Sequence, residues 1–265
     1  MYQYGDYTYP QSIILDVARE VSAKQRTAET ASGDGVYSAA TADTGYREAG
    51  ALAARVFVVS GHLLLSDSQT LDDLDTLWDA FLLSHAPGVR RALFTGRNDR
   101  YLSAEVQAIR EVDARNYTAS QAWEVRFLSA SGVYAATTLS TATLAMGENN
   151  ITAGGTAPAP SQVVLSVAGV DTSKTQVLTV TLSGTSAGGA SWSRAFTLSG
   201  FAANDTFTVD TEKQRVTASS GADKTELFSG AWWRLQPGAQ KITIAQTGGL
   251  SLGTTKRVDW RNRWL

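Results

Sequence analysis

The chain has 265 residues, a formal net charge of −2 at pH 7 from 23 Lys and Arg against 25 Asp and Glu, and no cysteine. That length suits one large or two medium domains. The charge balance speaks against a nucleic-acid binder, which would carry a basic stripe, and the lack of cysteine excludes disulfides and thiolate metal sites. No apolar run reaches membrane-spanning length, and residues 1–6 do not read as a signal peptide.

Residues 1–45 are rich in small and polar residues, with tyrosines as punctuation and a short strand-like run at Ile13–Val17. Gly33-Asp34-Gly35 reads as a turn. Leu52–Ser60 is the strongest strand of the first half; Gly61 interrupts it and His62–Leu65 continues it. A helix is predicted over 70–85, because Leu71, Leu74, Leu77, Trp78, Phe81 and Leu82 recur at three- and four-residue spacing. Thr70 and Asp73 form its capping box, and Ala86-Pro87-Gly88 stops it. Arg90–Thr95 reads as a strand. A longer strand follows, with Leu102, Ala104, Val106 and Ala108 facing in, and Ala122–Leu128 repeats the pattern through Trp123, Val125 and Phe127. The first domain, 1–150, is therefore a strand meander with one helix laid across it.

Gly154-Gly155 and two Ala-Pro pairs mark residues 151–161 as an interdomain linker. A second domain over 162–265 then has short strands at regular spacing: 162–170, 176–183, 191–199, 205–210, 214–219, 224–229, 240–246 and 256–264. Glycine and Asn/Asp turns separate most of them, as in a β-sandwich. Gln236-Pro237-Gly238-Ala239 has the signature of a type II turn. At the end of the chain Val258, Trp260 and Trp264 alternate with Arg257, Asp259, Arg261 and Arg263.

The segment holding Gly230, Leu235, Pro237, Gly238, Ile242 and Ile244, followed by the basic-aromatic 261–265, resembles the C-terminal domain of the distal tail proteins of long-tailed, siphovirus-type bacteriophages. The first half agrees in order: Gly50, Leu52, Gly61 and Leu63 precede the helix, and Leu93, Arg100, Leu102 and Ala104 come after it. The resemblance covers roughly 45–128 and 228–265. It implies a mainly β fold: an N-terminal tail-tube-like β-sandwich or barrel with one helix, then a galectin-like or carbohydrate-module-like β-sandwich. It also implies a structural virion protein of the tail tip, assembled in the host cytoplasm and needing no cofactor. Six copies would form a ring between the tail tube protein and the tail-tip hub protein, offering attachment to receptor-binding or side-fibre proteins, with no membrane contact and DNA only passing through the bore. Residues 1–45 lie outside the resemblance and could be an arm that docks on a neighbour.

Candidate chemistry is sparse. Gly184-Thr-Ser-Ala-Gly188 matches the nucleophile elbow of serine hydrolases, but that motif needs a helix after Ser186, and the sequence continues into another strand, so the stretch reads as a hairpin loop. His62 and His85 have no ligand partner at metal spacing and read as structural, with His85 placed where a helix C-terminus favours positive charge. Asp72, Asp73, Asp75 and Asp79 map to the first turn and solvated face of the helix. No enzyme activity is expected. The alternative reading is a carbohydrate-binding module that stacks host glycan on Trp232 and Trp233. Arg257, Arg261 and Arg263 are candidates for contacts with an acidic neighbour in the ring.

Overall fold

The computed structural model describes residues 2–8, 14–20, 55–64, 70–95, 98–111, 120–129, 133–186 and 189–264. They form two compact units that meet in sequence between Thr137 and Thr138. The structure is mainly β, with one α-helix among the described residues. The expected turn at 33–35 and the positions Gly50 and Leu52 lie outside the described residues.

In the first unit the strands are β1 (Tyr2–Tyr4), β2 (Tyr7–Thr8), β3 (Ile14–Glu20), β4 (Arg55–Leu64), β5 (Arg91–Thr95), β6 (Arg100–Glu111), β7 (Ser120–Ser129) and β8 (Tyr134–Ala136). They pair antiparallel in the order β2-β1-β5-β6-β7-β4-β3. β6 serves two sets of partners. Its first residues pair with β5 and β8, and its second half pairs with β7. The register against β7 slips between Val106 and Ala108, a bulge at Gln107. One extra residue reverses which side chains face inward. Leu102, Ala104 and Val106 are buried as expected, but beyond the bulge Ala108 is exposed and Ile109 turns inward instead.

The helix α1 runs Leu71–Ser84, within a residue of its expected ends. The Thr70 N–H and hydroxyl both reach Asp73 Oδ2, at 2.6 and 2.9 Å, so the capping box is closed from the N3 side. Leu74, Trp78 and Phe81 face the core, whereas Leu71 (52 % exposed) and Leu77 (36 %) do not. Below the helix lie Tyr4, Leu93, Leu102, Trp123, Val125 and Phe127, all fully buried.

The second unit is a sandwich of two five-stranded antiparallel sheets. Its strands are β9 (Ser140–Thr143), β10 (Gly147–Ala153), β11 (Ser161–Gly169), β12 (Val177–Thr185), β13 (Ser191–Ser199), β14 (Thr206–Asp210), β15 (Arg215–Ala218), β16 (Phe228–Gly230), β17 (Gly238–Thr247) and β18 (Ser251–Trp260). A last short strand, β19 (Arg263–Trp264), follows. One sheet runs β10-β17-β12-β13-β16 and the other β15-β14-β11-β18-β9. Leu178, Val180 and Leu182 on β12 face Trp192, Phe196 and Leu198 on β13 in the core, as the alternation predicts. Residues 225–227 form a 3-10 turn where a strand over 224–229 was expected, and only 228–230 pair. Gly238 has φ +101°, the positive value required at the third position of the expected turn.

Residues 151–161 are not a linker. Ile151 and Ala153 sit on β10 in the sandwich core. Beyond them Ala157 and Ala159 are buried while Pro158 and Pro160 alternate outward. The inward alanines donate their N–H groups to Arg263 O and Leu235 O (3.0 and 2.8 Å). Proline has no N–H to offer, so it fits the intervening positions at no cost to the pairing. Gly155 (φ +93°) is glycine because a Cβ there would stand 2.0 Å from Arg263 O. The small residues that look flexible in sequence are therefore sites of close backbone packing.

Candidate functional site

The tryptophan pair leaves β16 at Gly230, whose φ is +115° and whose Cβ would meet Ala195 O at 2.6 Å. Only glycine allows the chain to turn here against β13. Ala231 N–H then donates to Ala195 O (3.0 Å). The turn sends the two indoles opposite ways. Trp232 lies flat on Phe228, with centroids 3.7 Å apart and planes 4° apart. Trp233 is fully buried and stacks on Phe196, which in turn stacks on Phe228. A four-ring aromatic stack thus brackets Gly230. Glycan stacking on Trp233 is corrected by this geometry, since no face of its ring meets solvent. Half-buried Trp232 has one face already taken by Phe228.

Arg257 and Arg263 of the final segment hold internal carboxylates. Arg257 Nε lies 3.0 Å from Asp259 Oδ2, and Asp259 also accepts a hydrogen bond from Thr141 (2.7 Å). Arg263 reaches Glu212 Oε1 at 2.6 Å, tying the end of the chain to the β14–β15 turn, and its side chain is only 16 % exposed. Arg261 is half-buried. Asn262 accepts from both Trp260 Nε1 (3.0 Å) and Gly154 N (2.8 Å).

Three aspartates organise the sandwich loops. Asp171, Asp205 and Asp223 are held below the ordinary carboxylate range, first of all by hydrogen bonds from the Ser173, Ser219 and Thr225 hydroxyls. Ser186 lies just past β12, where its N–H donates to Ala190 O (2.8 Å) and its Oγ accepts from Ala190 N (3.1 Å). β13 follows from Ser191, so the context is a strand hairpin. Among the described residues no group of three or more His, Cys, Asp or Glu side chains converges as a metal site, and no helix is long and apolar enough to cross a membrane.

His85 departs from its expected role. It is completely buried, ringed by Tyr4, Phe81 and Phe127. Burial pushes its pKa down to about 4, so the ring is neutral at pH 7 and does not supply a charge to the helix end. Its Nδ1 lies 2.9 Å from Phe81 O. A carbonyl can only accept, so that nitrogen carries the proton, and the ring side chain caps the helix as a hydrogen-bond donor.

A groove of about 600 Å³ crosses the second unit. All of its walls come from β10, β17, β12 and β13, adjacent strands of one sheet, and none from the other sheet. It therefore lies on the outer face of that sheet. Its signal in the sequence is the run Thr179, Thr181, Ser183, Thr185, the outward half of a strand whose inward half is Leu178, Val180, Leu182.

A tail-tube-like β first unit with one helix, followed in sequence by a β-sandwich, is the architecture implied by the resemblance to distal tail proteins. Comparison with solved structures bears this out for the fold. The chain aligns over 100 % of its length with 98 % of the Dit protein (gp 19.1) of phage SPP1, a paradigm of the hub adsorption apparatus in phages infecting Gram-positive bacteria, at TM-score 0.67 and 13 % identity. Two chains of the phage P2 baseplate in its activated conformation align more loosely. The calcium form gives TM-score 0.37 and 9 % identity over 80 % of this chain and 79 % of that one. The strontium form gives 0.40 and 8 % over 79 % and 78 %. No protein-family model matches the sequence, and no curated protein sequence matches it.

Proposed function

We propose that this chain is a structural protein of a phage tail tip, whose copies close into a six-membered ring joining the tail tube to the tail-tip hub and its receptor-binding apparatus. One observation carries the reading: the end-to-end likeness in fold to the SPP1 Dit protein, at TM-score 0.67 over both units. The first unit would build the ring and continue the bore, and the sandwich would project outward. Assembly by complementary surfaces is the mechanism. Arg257 and Arg263 pair with Asp259 and Glu212 inside the subunit. The fate of the indoles weakens the carbohydrate-module reading at Trp232 and Trp233.

Light scattering on the purified chain, with negative-stain imaging, tests the ring. The expected result is a mass of six or twelve subunits and particles with a central hole. A monomer that stays monomeric at high concentration and forms no ring with tail tube protein present overturns the proposal.

A further inference from the structure

We propose that β10 is a pairing edge, at which the sandwich binds the same strand of a second copy, antiparallel, across a twofold axis. β10 is the outermost strand of its sheet and pairs with β17 through seven consecutive residues without a bulge. Among the described residues no strand lies on its other side. Every second residue of an edge strand directs its N–H and C=O away from its neighbour, and such a row is a template for a further strand. The other outermost strands of the sandwich are shorter: four residues in β9 and in β15, three in β16. Natural edges are also blunted by proline, bulges or charge. β10 has no proline and no bulge, and its one charged residue, Glu148, is neutralised by Lys241 Nζ at 2.9 Å.

Two observations select a second copy as the occupant. First, the strand is complementary to itself. Residues directly opposite each other in an antiparallel pair lie on one face of the sheet. A twofold axis at Asn150 therefore sets Asn150 against its counterpart, Glu148 against Thr152, and Gly147 against Ala153. On the exposed face, formed by Glu148, Asn150 and Thr152, an amide both donates and accepts, so asparagine matches asparagine. The Thr152 hydroxyl meets the Glu148 carboxylate as a donor. The two copies of Glu148 stand four residues apart, about 13 Å, and do not repel at contact. On the inward side the end positions are glycine and alanine, too small to clash, and the Asn149 amide is already bonded to Ala145 and to the Ile242 carbonyl. Second, among the described residues the exposed large apolar side chains of this unit are Leu139 and Met146. Met146 directly precedes β10, and Leu139 directly precedes β9, the outermost strand of the facing sheet, which residues 144–146 join to β10. The exposed apolar residues thus border the open edge, where a second copy covers them. An unrelated extended peptide would meet the backbone row but not this register.

The chain has no cysteine, so introduced cysteines report the register. Residues facing each other in such a pair have Cα atoms about 4.5–5.5 Å apart, within reach of a disulfide. Under mild oxidation of the full chain, Asn150→Cys is expected to give a covalent dimer on a denaturing gel. Glu148→Cys and Thr152→Cys should each stay monomeric, because their counterparts lie about 13 Å away, and the double variant Glu148→Cys/Thr152→Cys should cross-link again. Circular dichroism checks that each variant is folded. Asn150→Lys sets two ammonium groups opposite each other, and sedimentation velocity should find it at half the mass of the unaltered chain. Equal cross-linking of Asn150→Cys and Glu148→Cys, no cross-linking in any variant, or an unchanged mass in Asn150→Lys overturns the proposal. The outcome is read independently of the ring: the mass falls from twelve subunits to six where the ring forms, and from two to one where it does not.

Discussion

In the first unit the core closes around the end of a helix, and in the second around the inner faces of two sheets. The first core holds a titratable ring, His85, among Tyr4, Phe81 and Phe127. The second is lined by Val163, Leu165, Leu178, Val180, Phe196 and Ile242, and its buried carboxylates, Asp210 and Asp259, sit on the strands, hydrogen-bonded by Gln162 and Thr141. The difference follows from backbone geometry. A helix leaves its last carbonyls short of partners within the helix, and α1 ends inside the core, where the Phe81 carbonyl gathers the His85 N–H (3.2 Å), the Ser84 hydroxyl (2.7 Å) and the His85 Nδ1 (2.9 Å). Sheet backbones pair laterally, and their turns lie at the periphery where Asp171, Asp205 and Asp223 can order them in contact with water.

The largest effects should separate the units. Phe81→Ala and Trp233→Ala each remove a fully buried ring at a cost of about 3–5 kcal/mol. Urea denaturation followed by far-UV circular dichroism should show the first lowering only the helix-bearing unit and the second only the sandwich; a joint shift would break the comparison. Trp232→Ala, on a half-buried ring, should cost about 1–2 kcal/mol.

Acid should sharpen the contrast. The His85 pKa falls from 6.5 in the unfolded chain to about 4 in the folded one, so the unfolded state binds more protons between those values. Stability from this group is complete above pH 6.5 and declines as pH drops toward 4, by about 3 kcal/mol in all. The sandwich aspartates also have depressed pKa values, so their contribution persists above 3.8 and fades only below it. The urea midpoint of the first unit should therefore fall at a milder pH than that of the second, and His85→Gln should flatten the earlier decline. A first unit insensitive between pH 6.5 and 4 would contradict the buried neutral ring.

Smaller effects probe the edges of each unit. Thr70→Ala opens the capping box and should lower helix-unit stability by about 1 kcal/mol. Lys241→Ala removes an exposed ion pair and should move the sandwich midpoint by no more than about 0.5 kcal/mol. Either change exceeding Phe81→Ala would mean that the surface, not the core, sets stability.

Strands with two distinct faces were legible in advance. Residues 191–199 were predicted to the residue, because Trp192, Phe196 and Leu198 alternate with Ser and Thr. β10 was not, since its inward positions include only Ile151 and Ala153 and its neighbours look like linker material. Alternation cannot foresee a bulge, so Ala108 was given the place that Ile109 takes. Local sequence also cannot decide which of two adjacent tryptophans points inward; Gly230 and its approach to Ala195 decide it. The Arg263–Glu212 pair joins residues 51 positions apart and leaves no mark in either segment. His85 was recognised as structural, but its neutrality depends on three aromatic rings brought together by the fold.

The indoles are shared unequally between the units: Trp78 and Trp123 in the first, and Trp192, Trp232, Trp233, Trp260 and Trp264 in the second. Intrinsic fluorescence is therefore chiefly a spectroscopic record of the sandwich. A spectral shift during assembly would report on the sandwich, while closure of the proposed ring through the first unit could pass almost unseen. Following that closure calls for a dye placed on the helix-bearing half, and Leu83, 77 % exposed on α1, marks a position where a label would leave the core undisturbed.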